Sequence, residues 1–246
     1  MLGMQTRQRR AVRSSFRFLI PFLAVFLAAL GLVGCSSSSK TNDAPLPDAA
    51  TLLKQSADTT RKQTSAHVVL TTTGDIKALP ITVLTGDMTL TPAVAAQGKA
   101  DIMFLGQKLS DVKFVVSDGN LYGAITAGGA MENFGPAADI YDISTILSPE
   151  NGLANILTSF ADPKAEGRES VNGVDAVKIT GTVPADAMNK IAPALKVTGP
   201  IPGTAWIRED GDHQLQQVKF DVEQGKTIQM TLSDWGKTVT VDKPAA

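Results

Sequence analysis

Beyond its first 44 residues the sequence predicts an α+β fold, a single domain in which one long, mostly antiparallel sheet carries helices on one face. Three observations lead there. Runs of Val, Ile, Thr and Phe recur at strand length along most of the chain, short helical patterns interrupt them at a few places, and neither a repeat of fixed period nor an internal linker divides the whole.

The N-terminus reads as something else. Arg7, Arg9, Arg10, Arg13 and Arg17 precede an apolar run from Phe18 to Val33, with no acidic residue before position 35. A basic region followed by a hydrophobic core is the order of an export signal, here residues 1–34. The run of about 16 residues is shorter than the ~20 of a spanning helix, and Pro21 and Gly31 interrupt it. It ends in Leu32-Val33-Gly34-Cys35, which matches a lipobox, so Cys35 is expected to be acylated. Ser36 to Ser39 then open a polar tether, and residues 35–44 form the lipidated cysteine and its linker.

Cys35 is the only cysteine, so the folded part has no disulfide and no thiol for catalysis or metal binding. All five leader arginines are lost on processing. The mature chain keeps 18 basic against 24 acidic residues, about −6, with nothing to suggest nucleic acid as a partner.

Residues 45–246 supply the elements of the sheet. Asp48 is a suitable N-cap for a helix to about Lys62, with Leu52, Leu53 and Ala57 on one side. Strands are expected at 66–73, 81–90, 99–105, 112–116 and 121–125, separated by turn signals such as Ser117-Asp118-Gly119-Asn120. The Gly-rich stretch from Ala127 to Ala130 reads as a lid or rim loop. Helices are expected at 137–147 and at 152–161, where Leu153, Ile156, Leu157 and Phe160 recur at helical spacing. A strand follows at 176–182 and a short helix opens at Pro184. Pro193, Pro200 and Pro202 mark an irregular connection before strands at 204–208, 214–222 and 227–233, with a further edge strand at 239–241.

Alternation assigns faces. Ala100, Ile102 and Phe104 point one way while Lys99 and Asp101 point the other; Val112, Phe114 and Val116 form a second inward set, Val218, Phe220 and Val222 a third, and Ile228, Met230 and Leu232 a fourth. Periodicity leaves two readings open for these sets, a packed core and a lined pocket.

Enzymatic constellations are missing. His67 lies in an expected strand and His213 in a turn, neither within a nucleophile or metal motif, and Asp139 with Asp142 is explained by capping and solvation. No enzyme, metal or cofactor is expected.

Six stretches carry a resemblance: Leu46-Pro47-Asp48, Ser65-Ala66-His67, the run from Asn133 to Asp142, Gly152-Leu153-Ala154-Asn155, Ala165-Glu166-Gly167-Arg168, and the run from Gly211 to Leu215. They resemble the mycobacterial LppX/LprA/LprF/LprG lipoproteins, and within that family its LprG-like members, from about Pro45 to Val241. Around Ala93 to Lys108 the sequence departs from that pattern in length, which leaves one side of any pocket open.

The resemblance implies a curved half-barrel sheet wrapped over helices, enclosing an internal apolar cavity for acyl chains. The implied cargo is triacylated glycolipids (lipoarabinomannan, lipomannan, phosphatidylinositol mannosides) and triacylglycerides. A major facilitator exporter of the inner membrane is the implied partner, host innate receptors are another, and the protein is expected to act as a monomer. It would sit on the periplasmic side of the inner membrane, anchored through Cys35, with cell-wall or secreted forms. Ala100, Ile102, Phe104, Val112, Phe114 and Val116 would form one wall and Leu153, Ile156 and Leu157 the other. Three chains of roughly 16 carbons carry on the order of 36 kcal/mol of aversion to water, so such cargo needs a large, dry pocket. The competing expectation is a lipid-anchored scaffold or accessory subunit without cargo.

Overall fold

The described residues, 44–126 and 129–245 of a computed structural model, are organised around eleven antiparallel strands in one curved, open sheet. The strands are β1 (Ser65–Thr73), β2 (Ile81–Thr89), β3 (Ala95–Phe104), β4 (Gln107–Ser117), β5 (Asn120–Ala124), β6 (Glu132–Pro136), β7 (Ala161–Val171), β8 (Val174–Val183), β9 (Ile201–Arg208), β10 (Leu215–Glu223) and β11 (Lys226–Ser233). The expected signal, Cys35 and the tether to Asp43 lie outside the described residues, as do Ala127 and Gly128 of the expected rim loop.

The order β6-β5-β4-β3-β2-β1-β11-β10-β9-β8-β7 follows from two meanders. One runs outward from β1 to β6, the chain crosses to the far edge, and the other returns from β7 to β11. The last strand then pairs with the first, from His67 opposite Ser233 to Thr73 opposite Thr227. Strands distant in sequence thus meet at the centre, where ladder hydrogen bonds and apolar side chains on one face are both satisfied.

That face carries the helices α1 (Ala49–Thr60), α2 (Ser144–Leu147), α3 (Leu153–Thr158) and α4 (Ala185–Ile191). As expected, Asp48 caps α1, its carboxylate accepting from the Thr51 amide at 2.8 Å. Leu52, Leu53 and Ala57 are buried. Arg168 of β7 fixes the approach to α1, donating to the carbonyls of Ala44 (2.9 Å) and Pro45 (3.3 Å) while its guanidinium grips Glu209 at 2.6 Å. This pairing raises the arginine's pKa and holds the Glu209 carboxyl below its ordinary range.

Several elements differ from expectation. β7, Ala161–Val171, begins at the last residue of an expected helix and runs through a stretch for which no element was expected. It is an edge strand, where Pro163 and five charged residues are tolerated because one side of the ladder stays unpaired. β6 was likewise unforeseen, its Gly135-Pro136 signalling a turn. The helix expected at 137–147 is a 3₁₀ turn, Ala137–Asp139, followed by the short α2. The helix expected at 152–161 ends at Thr158. β9 starts at Ile201 and includes Pro202, so the proline connection is shorter than expected. Residues 239–241 form no strand; Thr240 instead accepts a hydrogen bond from the Gln97 side chain through its carbonyl.

Candidate functional site

The helix-bearing face is concave and hollowed by glycine. Ladder pairing places Val68, Gly86, Gly98, Phe114 and Gly123 in one row across β1 to β5. A Cβ on Gly98 would overlap the Thr85 carbonyl oxygen, lie 2.7 Å from the Gly86 Cα, and meet the Phe114 ring at 3.0 Å. A Cβ on Gly86 would meet the same ring at 3.1 Å. Phe114 therefore lies across a depression that two glycines leave in the sheet. On the returning meander Gly181 pairs with Gly203, and Phe160 covers both: a Cβ at either position would stand 3.0 Å from its ring. Phe134 lies over Gly123 in the same manner.

The next row toward the Leu105 end of the sheet holds Met230, Leu70, Leu84, Ala100 and Val112. Ala100 is buried, whereas Leu70, Leu84 and Val112 are only half-buried. An apolar strip of β1 to β4 is thus left incompletely covered by the helices.

The residues expected in a wall fall into three groups. Val116, Leu153, Ile156 and Leu157 belong to one continuous buried core, and Phe114 packs against it. Ala100, Ile102 and Val112 lie on the strip outside that core, the latter two half-buried. Phe104 stands apart, 50% exposed beside the β3–β4 turn. It is the last residue of β3, in regular pairing with Gln107 beside the turn and beyond the rows that reach the core; the extra residues of the nearby register shifts lie in β2 and β4 rather than in β3.

Between α1 and α3 lies a cleft of about 310 Å³, lined by Leu53, Lys54, Arg61, Leu157, Phe160 and Pro163 among others. On the same two helices the Ser56 hydroxyl and the Asn155 side-chain nitrogen are buried without a hydrogen-bond partner. The sequence offered no sign of this seam, nor of the glycine pairs, because both depend on which strands and helices become neighbours.

The histidines have structural partners. On the opposite, convex face His67 Nδ1 lies 2.7 Å from the Asp87 carboxylate of the neighbouring strand, and His213 Nδ1 lies 3.3 Å from the Arg208 carbonyl in the β9–β10 connection. Asp142 caps the turn before α2, accepting from the Ser144 amide at 3.0 Å.

The run from Asn133 to Asp142 is also built for shape. Asn133 accepts from the Gly135 amide, Gly135 turns at φ 88°, Ala137 is buried, and Tyr141 donates to the Ile191 carbonyl at 2.9 Å, tying the segment to α4. Burial pushes the Tyr141 hydroxyl above its ordinary pKa, so it remains a neutral donor.

With this geometry in hand, comparison with known proteins is specific. The family model described as LppX_LprAFG lipoprotein matches residues 48–241. The chain is 56% identical over 243 residues to the lipoarabinomannan carrier protein LprG of Mycolicibacterium smegmatis, covering 99% of this chain and 100% of that one. It is 46% identical over 235 residues to the protein of the same name from Mycobacterium tuberculosis, covering 96% and 98%. Among solved structures, LprF from Mycobacterium bovis superposes with a TM-score of 0.73 at 30% identity, over 82% of this chain and 99% of that one. LppX from Mycobacterium tuberculosis superposes at 0.62 and 29% identity, over 79% and 98%.

Proposed function

This chain belongs to the LppX_LprAFG lipoprotein family, and from that premise we propose that it is a lipid-anchored carrier of triacylated glycolipids and triacylglycerides. Cys35 would hold it to the periplasmic side of the inner membrane. A major facilitator exporter would deliver cargo that the carrier moves toward the envelope surface.

The observation that carries the reading is the concave apolar face, where Gly86, Gly98, Gly181 and Gly203 leave the sheet without side chains and the rings of Phe114 and Phe160 lie across them. An aromatic ring can swing aside about its χ angles, whereas a Cβ grown from the sheet cannot. The half-buried strip beside Ala100 supplies an apolar floor, and the α1–α3 seam is the place to open. One unsatisfied buried polar group on each of these two helices, Ser56 and Asn155, costs about 1–3 kcal/mol. Acyl chains would then replace Phe114 and Phe160 on the glycine beds, with the sugar head at the mouth.

The cleft volume favours a second reading. At about 310 Å³ it stands at the low end of ordinary ligand pockets, which suits an anchored scaffold without cargo.

Native mass spectrometry with lipid extraction separates the two. A version beginning at Ser36, free of the acyl anchor, is expected to carry glycolipid or triacylglyceride at near-unit stoichiometry. Lipid-free protein that also refuses added glycolipid would establish the scaffold reading.

A further inference from the structure

Three hairpins of the sheet share one turn. Leu105-Gly106, Asp118-Gly119 and Asn172-Gly173 each join paired strand ends through two residues at positive φ, with first residues at 49°, 51° and 50° and glycines at 78°, 75° and 81°. The first position of such a turn favours Asn, Asp or Gly, whose backbones tolerate the left-handed region. A leucine there is an outlier. Among the described residues the other non-glycine positions of positive φ are Asp, Asn, Lys or His, so Leu105 is the one apolar side chain held in that conformation.

Leu105 gains nothing from packing in return, being 89% exposed, and no heavy atom lies within 4 Å of a Cβ built on Gly106. Met103 and Phe104 beside it are 40% and 50% exposed. A turn that departs from its own best chemistry while presenting Met-Phe-Leu to solvent marks a surface selected for contact.

We propose that the β3–β4 tip, with Leu105 at its apex, inserts into the surface of a lipid bilayer. Three side chains cover a few hundred Å², short of the ~800 Å² per partner that a stable protein interface buries, but sufficient for an interfacial wedge. Charge agrees with an apolar wedge. Lys108 is paired with Asp101 at 3.0 Å and Lys99 with Asp111 at 3.5 Å, so the hairpin offers anionic headgroups little net attraction.

The tip also lies far from where the chain enters the fold. Arg168 holds Ala44 and Pro45 near the end of the sheet that carries the Asp118 and Asn172 turns, and antiparallel pairing puts Leu105 at the opposite end. The 11 residues of β4 separate the two ends by roughly 35 Å. The wedge is thus a second lipid contact, distinct from the acyl anchor expected on Cys35.

The version beginning at Ser36 tests this directly, since it keeps every described residue and has no cysteine. Leu105→Cys and Asp118→Cys, matched in backbone conformation at opposite ends, are labelled with a polarity-sensitive dye and mixed with vesicles of phosphatidylglycerol and phosphatidylethanolamine. The dye at 105 is expected to brighten several-fold and shift to the blue, the dye at 118 to stay unchanged, and the response to persist in high salt. Leu105→Asn, which suits the turn better, is expected to unfold at the same or a higher temperature while its vesicle-bound fraction falls about tenfold. A silent label at 105, equal responses at both ends, or undiminished flotation of Leu105→Asn would overturn the proposal. Brightening with protein concentration in the absence of vesicles would overturn it in favour of a contact between copies of the chain. None of these readouts involves cargo, so the result is independent of the carrier reading.

Discussion

Gly98→Ala is expected to cost about 3 kcal/mol of stability, a large loss for the addition of one methyl group. The added Cβ would overlap the Thr85 carbonyl oxygen and press the Gly86 Cα at 2.7 Å. Both neighbours are backbone and are fixed by ladder pairing of Thr85 with Lys99 and of Gly86 with Gly98. The side chain therefore finds room only if β2 and β3 separate at the middle of the sheet. The Phe114 ring, 3.0 Å from the same point, is displaced as well. Urea denaturation should show a lower midpoint with little change in slope. Gly167→Ala is the matched control: nothing lies within 4 Å of its Cβ, and its stability should stay within about 0.5 kcal/mol of the parent. Equal stability of the two variants would mean that β2 and β3 can part at no cost, and the glycine bed would lose its structural basis.

That bed shows where reading the sequence stops. Strands with one clear apolar face, such as β10 and β11, fall within a residue or two of their expected places, because Val218, Phe220, Met230 and Leu232 all turn to the core. The Asp48 cap and the Pro184 helix start were legible for equally local reasons. β7 was not: its order comes from pairing with β8, and its composition is that of an edge. Gly98 next to Gly86, Gly181 next to Gly203, and the phenylalanines across them become meaningful only once register is known, since the partners are 12 to 43 residues apart in the chain. The end of the apolar strip was also hidden. Alternation carried the wall on to Phe104, the last residue of β3, although it belongs beside the Leu105 tip.

Ala100→Trp is expected to abolish lipid loading, reducing co-purified and added glycolipid at least tenfold, while the protein stays folded. Ala100 lies on the apolar strip between Leu84 and Val112, buried but outside the main core. An indole there covers the strip that acyl chains would line. Leu84 and Val112 are only half-buried and can turn toward solvent, so the strain should remain within the roughly 1–3 kcal/mol of an overpacked site. Lys99→Trp carries the same bulk to the exposed opposite face one residue away and should load normally. If both variants load like the parent, the acyl chains do not use this strip, and the α1–α3 cleft with Phe160 becomes the place to block. If both lose their lipid while remaining folded, the effect follows from tryptophan on β3 rather than from the face it occupies. Only loss at position 100 with retention at position 99 makes the concave face of β3 part of the carrier's binding surface.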